Sequence, residues 1–281
     1  MKRIALFVLV LVFVGIDAFA DLNVSTSIYI LSSLVKQIGG DRVHVSYVIP
    51  SSSNPHVFSP KPKDLIDFEK ADLFIGVGFG FESWYDRVAF LRGKKRSIFL
   101  SDVYIHPLNA KKVGKKTIAN PHIWLDVDFM RNRGIPYIVQ TMCGLDKKNC
   151  DFYRSNASLL MESLKGFSNA LADLRGNCIV DVKPAFEYFF KSLGLESCSV
   201  VIEKGNRSPT VGDLKRLFRN CRCKKGVVVY VSNGQLAKSL SDRLGYSTVC
   251  LNPLGSSKNP ETNTYIKLIK HNIDLLRQSL K

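Results

Sequence analysis

Short β-rich runs alternate with amphipathic helical stretches along this chain, up to about residue 105 and again from about residue 175. The alternation is typical of α/β folds, because each helix carries the chain back so that successive strands lie parallel. The predicted strands are 22–27, 43–49, 72–77 and 97–100 in the first block and 178–181, 199–202, 227–231 and 248–251 in the second. We therefore predict an α/β fold with two lobes of similar size, each built on a parallel sheet.

Between the two blocks, apolar residues recur at the spacing of one helix face. Successive members are four, three, four and three residues apart, which matches the helical period. They are Leu160, Leu164, Phe167, Leu171 and Leu174. No proline interrupts residues 151–174, although Gly166 is a weak point. The pattern predicts one long, rigid helix that joins the two lobes and limits their hinge motion.

The first twenty residues have the organisation of a cleaved export signal. Lys2 and Arg3 precede an apolar run over residues 4–16, and Ala18-Phe19-Ala20 has the small-x-small pattern that signal peptidase recognises. The run is too short for a firm membrane span. Residue 21 is Asp rather than the Cys of a lipid-modified amino terminus, so we expect a periplasmic mature protein. The predicted bounds are 1–20 for the signal peptide, 21–142 for the N-terminal lobe, 143–175 for the linking helix region and 176–281 for the C-terminal lobe.

The chain is strongly basic, with a formal net charge of +16 at pH 7. Such a balance suits nucleic acid, acidic polymers or anionic membranes as partners. The lysines are nevertheless spread along the sequence, and no dense basic run is interleaved with the aromatic residues that stack on nucleic-acid bases. We interpret the charge as a solvated, lysine-rich surface and expect no nucleic-acid partner.

The seven cysteines of an exported chain enter an oxidising compartment, where disulfides form and persist. Cys143 and Cys150 bracket a short loop and are spaced to staple it. The other cysteines lie in the second half of the chain, and they are Cys178, Cys198, Cys221, Cys223 and Cys250. Because the total is odd, at least one thiol is free or pairs with another chain. Disulfides are favoured over zinc ligation, because residues 221–223 lack the two-residue gap of a zinc knuckle.

Two of the five histidines end the same tripeptide motif, Asn-Pro-His, at residues 54–56 and 120–122. An Asn-Pro step favours a turn, so each imidazole is expected on a loop at the edge of a lobe. Imidazole is a common ligand of first-row metal ions, and we predict that His56 and His122 converge on one metal site. Asp126 has two interpretations: it orients the His122 imidazole, or it caps the helix that follows.

These segments belong to a wider likeness, because the chain resembles the periplasmic zinc- and manganese-binding proteins of ABC importers, the cluster A-I metal solute-binding family. The likeness covers essentially the whole mature sequence, with matching segments in the family's order. They are Ile38-Gly39-Gly40-Asp41, Asn54-Pro55-His56-Val57-Phe58-Ser59-Pro60, Ala71-Asp72-Leu73 with residues 78–84, Asn120-Pro121-His122-Ile123-Trp124-Leu125-Asp126, Lys183-Pro184-Ala185-Phe186-Glu187-Tyr188-Phe189 and Asn252-Pro253-Leu254-Gly255. The resemblance implies two lobes joined by a rigid helix, with a metal held in the cleft by His56 and His122.

The chain departs from the family at two of the usual ligand positions. The third segment normally begins with His or Glu and the fourth with Asp, whereas this chain has Lys183 and Asn252. A protonated ammonium at ~4 Å from a divalent ion is repelled by on the order of 8 kcal/mol at an effective dielectric of about 20. Asn252 offers only a neutral oxygen and is a weak candidate ligand. The family's histidine-rich loop is also missing, because residues 107–119 contain no histidine.

Three functions compatible with this pattern remain open. In the first, the protein is a monomeric substrate-binding protein that captures zinc or manganese as the transported ligand and delivers it to the membrane permease of an ABC importer. A neutral Lys183, water or another group would then complete the coordination shell. In the second, the cleft binds an anionic ligand or a chelated metal that Lys183 neutralises. In the third, capture is lost and the basic scaffold binds a surface or a partner. Retention of both histidines favours the first, with zinc slightly preferred over manganese.

The sequence does not predict an enzyme, and we assign no catalytic residue. No serine or cysteine stands in a nucleophile elbow, and the Gly-rich residues 76–80 lack the spacing of a dinucleotide-binding fingerprint. A catalytic zinc site needs three protein ligands and an open position, and only His56 and His122 are strong candidates.

Overall fold

The computed structural model describes residues 22–114, 116–202 and 208–281. The predicted signal peptide, residues 1–20, lies outside the described residues. The N-terminal half is built on a four-stranded parallel sheet with the order β2-β1-β3-β4, in which the strands are β1 (Leu22–Ile28), β2 (Val43–Ile49), β3 (Leu73–Gly76) and β4 (Arg96–Phe99). Every residue of β3 is buried, as expected for a strand that is covered on both faces.

An exposed antiparallel hairpin follows this sheet. Its strands are β5 (Lys111–Val113) and β6 (Lys116–Ile118), and they pair only with each other among the described strands. The hairpin lies within residues 107–119, which contain no histidine.

The C-terminal half repeats the architecture of the first. Its strands are β7 (Cys178–Asp181), β8 (Ser197–Val200), β9 (Gly226–Tyr230) and β10 (Ser247–Cys250), and the parallel order is β10-β9-β7-β8. Counted within each half, both sheets place the first strand between the second and the third, with the fourth outermost. The repeated order confirms the predicted α/β class with two parallel sheets.

Helices cover both sheets and connect them. They are α1 (Tyr29–Gly39), α2 (Ile66–Lys70), α3 (Tyr85–Val88), α4 (Val127–Phe129), α5 (Ile135–Leu145), α6 (Cys150–Lys165), α7 (Glu187–Ser192), α8 (Val211–Asn220), α9 (Gln235–Leu244) and α10 (Tyr265–Leu280). A π-helical turn, Met130–Gly134, joins α4 to α5. Over the described ranges, no helix is both long enough and apolar enough to pass through a bilayer.

The linking helix is shorter than predicted. The periodicity predicts one helix over residues 151–174, but α6 ends at Lys165, and turns with a short 3-10 helix, Ala172–Leu174, follow it. Asn169 has a φ of 54°, which a continuing α-helix does not allow. The Asn169 and Leu171 backbone N–H groups instead donate to carbonyls at the end of α7, at 2.9 and 3.1 Å. A long helix, α6, does lie between the two sheets, but its predicted end at residue 174 is wrong, because tertiary hydrogen bonds replace helical ones after Gly166.

The two halves share one continuous hydrophobic core. A single cluster of buried side chains runs from β1 through α6 to the C-terminal helix α10. Two hydrogen bonds fasten the halves: the Trp124 indole N–H donates to the Pro253 carbonyl, and the Tyr265 hydroxyl donates to the Trp124 carbonyl, both at 2.7 Å. The domain bounds given above remain a prediction.

Three disulfides confirm the preference for disulfides over zinc. Cys143 pairs with Cys150, as their spacing suggested, and the other pairs are Cys178–Cys223 and Cys198–Cys221. Cys250, at the end of β10, is a free and exposed thiol, which accounts for the odd total.

Candidate metal centre

Each of the two Asn-Pro-His segments forms a turn that its own asparagine closes. The Asn54 side-chain oxygen accepts a hydrogen bond from the His56 backbone N–H at 3.1 Å, and Asn120 does the same for His122 at 3.1 Å. His56 lies in the loop after β2, at the carboxyl edge of the N-terminal sheet. His122 directly precedes the 3-10 turn Ile123–Leu125. The shared Asn-Pro-His motif therefore forms the same asparagine-closed turn in both places.

The structure brings the two imidazole rings together. Their centroids are 5.2 Å apart and their planes are tilted by 56°. The His122 residue is only 8% exposed, whereas His56 lies on the solvent side of the pair. Two neutral imidazoles at this separation form a pair of nitrogen donors of the kind that first-row metal ions bind.

Aromatic rings surround this histidine pair. The Phe81 ring meets His56 edge-on with centroids 5.4 Å apart, and the Trp124 ring lies 5.1 Å from His122. Phe81 and Trp124 also contact each other, at 5.3 Å. The buried Glu82 carboxylate holds the turn that carries Phe81, because it accepts the backbone N–H groups of Val77 and Gly78, directly after β3, at 2.7 and 2.9 Å. The rings thus exclude water from one side of the imidazoles.

This environment lowers the pKa of both imidazoles. Burial, and next the neighbouring His56 ring, lower the pKa of His122 to about 3. Burial, and next the positive charge of Lys183, lower the pKa of His56. Both rings are therefore neutral near pH 7, which is the protonation state that a metal ligand requires.

Asn120 fixes the orientation of the buried imidazole. Its side-chain oxygen lies 2.8 Å from His122 Nδ1 and also accepts the His122 backbone N–H. A carboxamide oxygen has no proton to give, so Nδ1 must carry the hydrogen. Because the neutral ring has one proton, Nε2 keeps its lone pair and is the nitrogen available to a ligand.

Asp126 caps a helix rather than orienting an imidazole. Its carboxylate accepts the Phe129 backbone N–H at 2.9 Å, at the start of α4, and the Tyr104 hydroxyl at 2.8 Å. The second of its two sequence interpretations is therefore the correct one. The group that orients the His122 ring is Asn120, two residues before it, rather than Asp126, four residues after it.

Lys183 and Asn252, at the altered ligand positions, contribute differently. Lys183 follows β7 and lies close enough for its charge to lower the pKa of His56.

The Asn252 side-chain oxygen, after β10, accepts the Leu254 and Gly255 backbone N–H groups at 2.9 and 3.0 Å. Two accepted bonds fill the lone pairs of a carboxamide oxygen, so Asn252 would have to give up one of them to bind a metal. Metal ligation by Asn252 remains a prediction.

Within the described ranges, no His, Cys, Asp or Glu side chain forms a group of three with the two imidazoles. The group of three His, Cys, Asp or Glu side chains whose ligand atoms lie within 4.8 Å of one another consists of Cys178, Cys198 and Cys221. Those sulfurs are held in disulfides, so they are not thiolate ligands. A metal at the histidine pair would therefore take the rest of its coordination shell from water, a bound anion, or the Asn252 and Lys183 side chains.

Comparison with known proteins agrees with this arrangement. The family model described as zinc-uptake complex component A, periplasmic (ZnuA), matches residues 24–279, almost the whole chain. The chain belongs to the ZnuA family. The resemblance drawn from its sequence segments is thereby confirmed.

Individual relatives of this ZnuA family chain are similar over most of their length. A putative metal-binding protein of Thermotoga maritima is 27% identical, with all of both chains covered. The high-affinity zinc uptake system protein ZnuA of Bacillus subtilis is 24% identical over 92% of this chain and 88% of its own. The Mn-bound periplasmic metal binding protein from Candidatus Liberibacter asiaticus superposes with a TM-score of 0.79 at 19% identity, covering 93% of this chain and all of its own. That last likeness concerns the fold alone.

Several residues that shape the site of this ZnuA family member are not among those predicted from the sequence. The Asn-Pro pattern predicts only a turn at Asn120, although its place two residues before a candidate ligand is a usable signal. Phe81 and Trp124 lie in segments that carry the resemblance, yet their packing against the imidazoles depends on the tertiary fold. The contact between Asn120 and the C-terminal half had no signal in the local sequence.

Proposed function

We propose that this ZnuA family member is a periplasmic substrate-binding protein that captures a divalent transition metal, zinc or manganese, for the permease of an ABC importer. The observation that supports it most is the pair of neutral imidazoles, His56 and His122, whose centroids are 5.2 Å apart. The protein performs no chemistry on the ion. Ligand binding favours one arrangement of the two halves, and the permease would recognise that arrangement.

The donor set implies weaker binding than four protein ligands would give. His56 and His122 supply two nitrogens, and Asn252 already uses its oxygen for backbone hydrogen bonds. Lys183 adds a positive charge near the pair. Two imidazoles and no carboxylate favour zinc over manganese, because manganese prefers oxygen ligands.

Calorimetric titration of the mature, chelator-stripped protein tests this proposal. We expect zinc to bind with one-to-one stoichiometry, and binding should be lost in the His56→Ala/His122→Ala variant. His44→Ala is the matched control, because His44 is exposed at the beginning of β2, away from the carboxyl edge of the sheet. Zinc binding that survives the double substitution, or that is lost equally in the control, contradicts the proposal.

A second function is favoured by the charge of Lys183 beside His56. The cleft would then bind a ligand with a carboxylate or phosphate group, or a chelated metal, and the lysine would neutralise it. Lys183→Glu separates the two functions. If the free ion is the cargo, removal of the repulsion should tighten zinc binding by at least about 100-fold. If an anionic ligand is the cargo, the same variant should lose binding of citrate or zinc citrate, which the unaltered protein would bind.

A further inference from the structure

The Asn120 carboxamide connects the buried imidazole to the C-terminal half. On one side its oxygen contacts His122 Nδ1 at 2.8 Å and the His122 backbone N–H at 3.1 Å. On the other side its nitrogen donates to the Pro184 carbonyl and to the Glu187 carboxylate, both at 2.9 Å. All four hydrogen-bonding positions of the carboxamide are therefore filled, and Asn120 is only 6% exposed.

These four partners leave the carboxamide one orientation. The Pro184 carbonyl and the Glu187 carboxylate can only accept, so they require the NH₂ group. The His122 backbone N–H can only donate, so it requires the oxygen. If the carboxamide were rotated by 180°, its NH₂ group would face the N–H groups of His122, and its oxygen would face the Pro184 and Glu187 oxygens. Each buried polar group left without a partner in this way costs about 1–3 kcal/mol.

We propose that Glu187 is a positioning residue for the candidate ligand His122, which it holds through Asn120 in the Nδ1-protonated form with Nε2 presented to the cleft. The inference deepens the proposed function and rests on it for its link to metal binding. Glu187 is the first residue of α7, in the C-terminal half, whereas His122 follows the N-terminal sheet and precedes the 3-10 turn Ile123–Leu125. The imidazole of one half is thus set by a carboxylate of the other.

Glu187 differs from Pro184, the other acceptor on the Asn120 NH₂ group, because its carboxylate is charged whereas the Pro184 carbonyl is neutral. A hydrogen bond to an ionised carboxylate is roughly twice as strong as one between neutral groups. It also polarises the carboxamide, and the polarised oxygen binds the Nδ1 proton more firmly. Carboxylates that orient a ligating histidine raise its basicity in the same way, and their loss typically weakens metal binding about 10–100-fold.

Nuclear magnetic resonance of the metal-free protein, with isotope-labelled histidine, tests the positioning role without any ligand. We expect the His122 side chain to be in the Nδ1-protonated form in the unaltered protein. In Glu187→Ala we expect a mixture with the Nε2-protonated form, and in Glu187→Gln, whose side-chain oxygen accepts the same bond, the original form. Glu196→Ala is the control, because Glu196 is exposed in the same half.

Zinc titration of the same variants adds the functional measurement. Glu187→Ala should bind zinc about tenfold more weakly, at the lower end of the range because the Pro184 contact remains. Glu187→Gln keeps the hydrogen bond but not the charge, so its affinity should lie between those of Glu187→Ala and the unaltered protein. An unchanged His122 signal in Glu187→Ala overturns the inference whatever the zinc result. If the unaltered protein binds no zinc, the proposed function fails, but the resonance measurement still decides the role of Glu187.

Discussion

Acidification from pH 7 to pH 5 should destabilise the metal-free protein through His122. The ring is buried, and its pKa is lowered to about 3 by that burial and by the neighbouring His56. In the unfolded chain a histidine titrates near 6.5. Between these two values the unfolded state binds a proton that the folded state does not, so the free energy of unfolding falls as the pH falls.

The size of this effect follows from the two pKa values. At pH 5 the protonated and neutral forms of the unfolded histidine together have about 33 times the population of the neutral form alone, while the folded ring stays almost wholly neutral. This factor of about 33 favours the unfolded state by about 2 kcal/mol at 25 °C. Almost none of this loss is present at pH 7. It would grow further below pH 5, until the pH approaches the folded pKa of about 3.

Urea denaturation of the chelator-stripped protein at several pH values measures this loss. The control is His122→Gln, in which every other titrating group is retained. The unaltered protein should lose about 2 kcal/mol more than the variant between pH 7 and pH 5. Equal losses in the two proteins would contradict this prediction, since they would mean that the folded protein accommodates a protonated His122.

Two further predictions concern stability. Trp124→Phe removes the indole N–H that donates to the Pro253 carbonyl between the two halves. Urea denaturation should show a free energy of unfolding lower by about 1–3 kcal/mol. An unchanged free energy would mean that this hydrogen bond does not hold the halves together. Replacing both cysteines of the Cys178–Cys223 pair with alanine should cost about 3–4 kcal/mol, because it frees a long loop, against about 2.5 kcal/mol for the Cys143–Cys150 pair. The reverse order would indicate that chain entropy does not dominate these disulfides.

The strands could be predicted well from the sequence, because the spacing of apolar residues that indicates a strand lies within the strand itself. The strands at 43–49 and 178–181 have the predicted bounds, and the other parallel strands differ by a few residues at most. The predicted end of the linking helix is wrong because residues 166–174 keep the helical spacing of apolar side chains, while the Asn169 and Leu171 backbone N–H groups donate to the C-terminal half. Spacing reports which side chains face the core, and Leu171 is indeed buried, but it does not report where each N–H group donates.

The candidate site was predictable in part. Two copies of one phrase pointed to His56 and His122, and the structure places their rings in contact. The same reasoning could not show that Asn252 spends its oxygen on its own turn, because that depends on the backbone path after β10. Nor could it find the contact between Asn120 and Glu187, which lie 67 residues apart in sequence.

X-ray absorption at the zinc edge, on protein loaded with one equivalent of zinc, directly tests whether the histidine pair holds the metal. We expect nitrogen and oxygen neighbours at about 2.0–2.1 Å with the scattering pattern of two imidazoles, and no sulfur. In the His56→Ala/His122→Ala variant the imidazole pattern should disappear. A sulfur neighbour at about 2.3 Å, or a shell without imidazole in the unaltered protein, would contradict the assignment of the metal to the histidine pair.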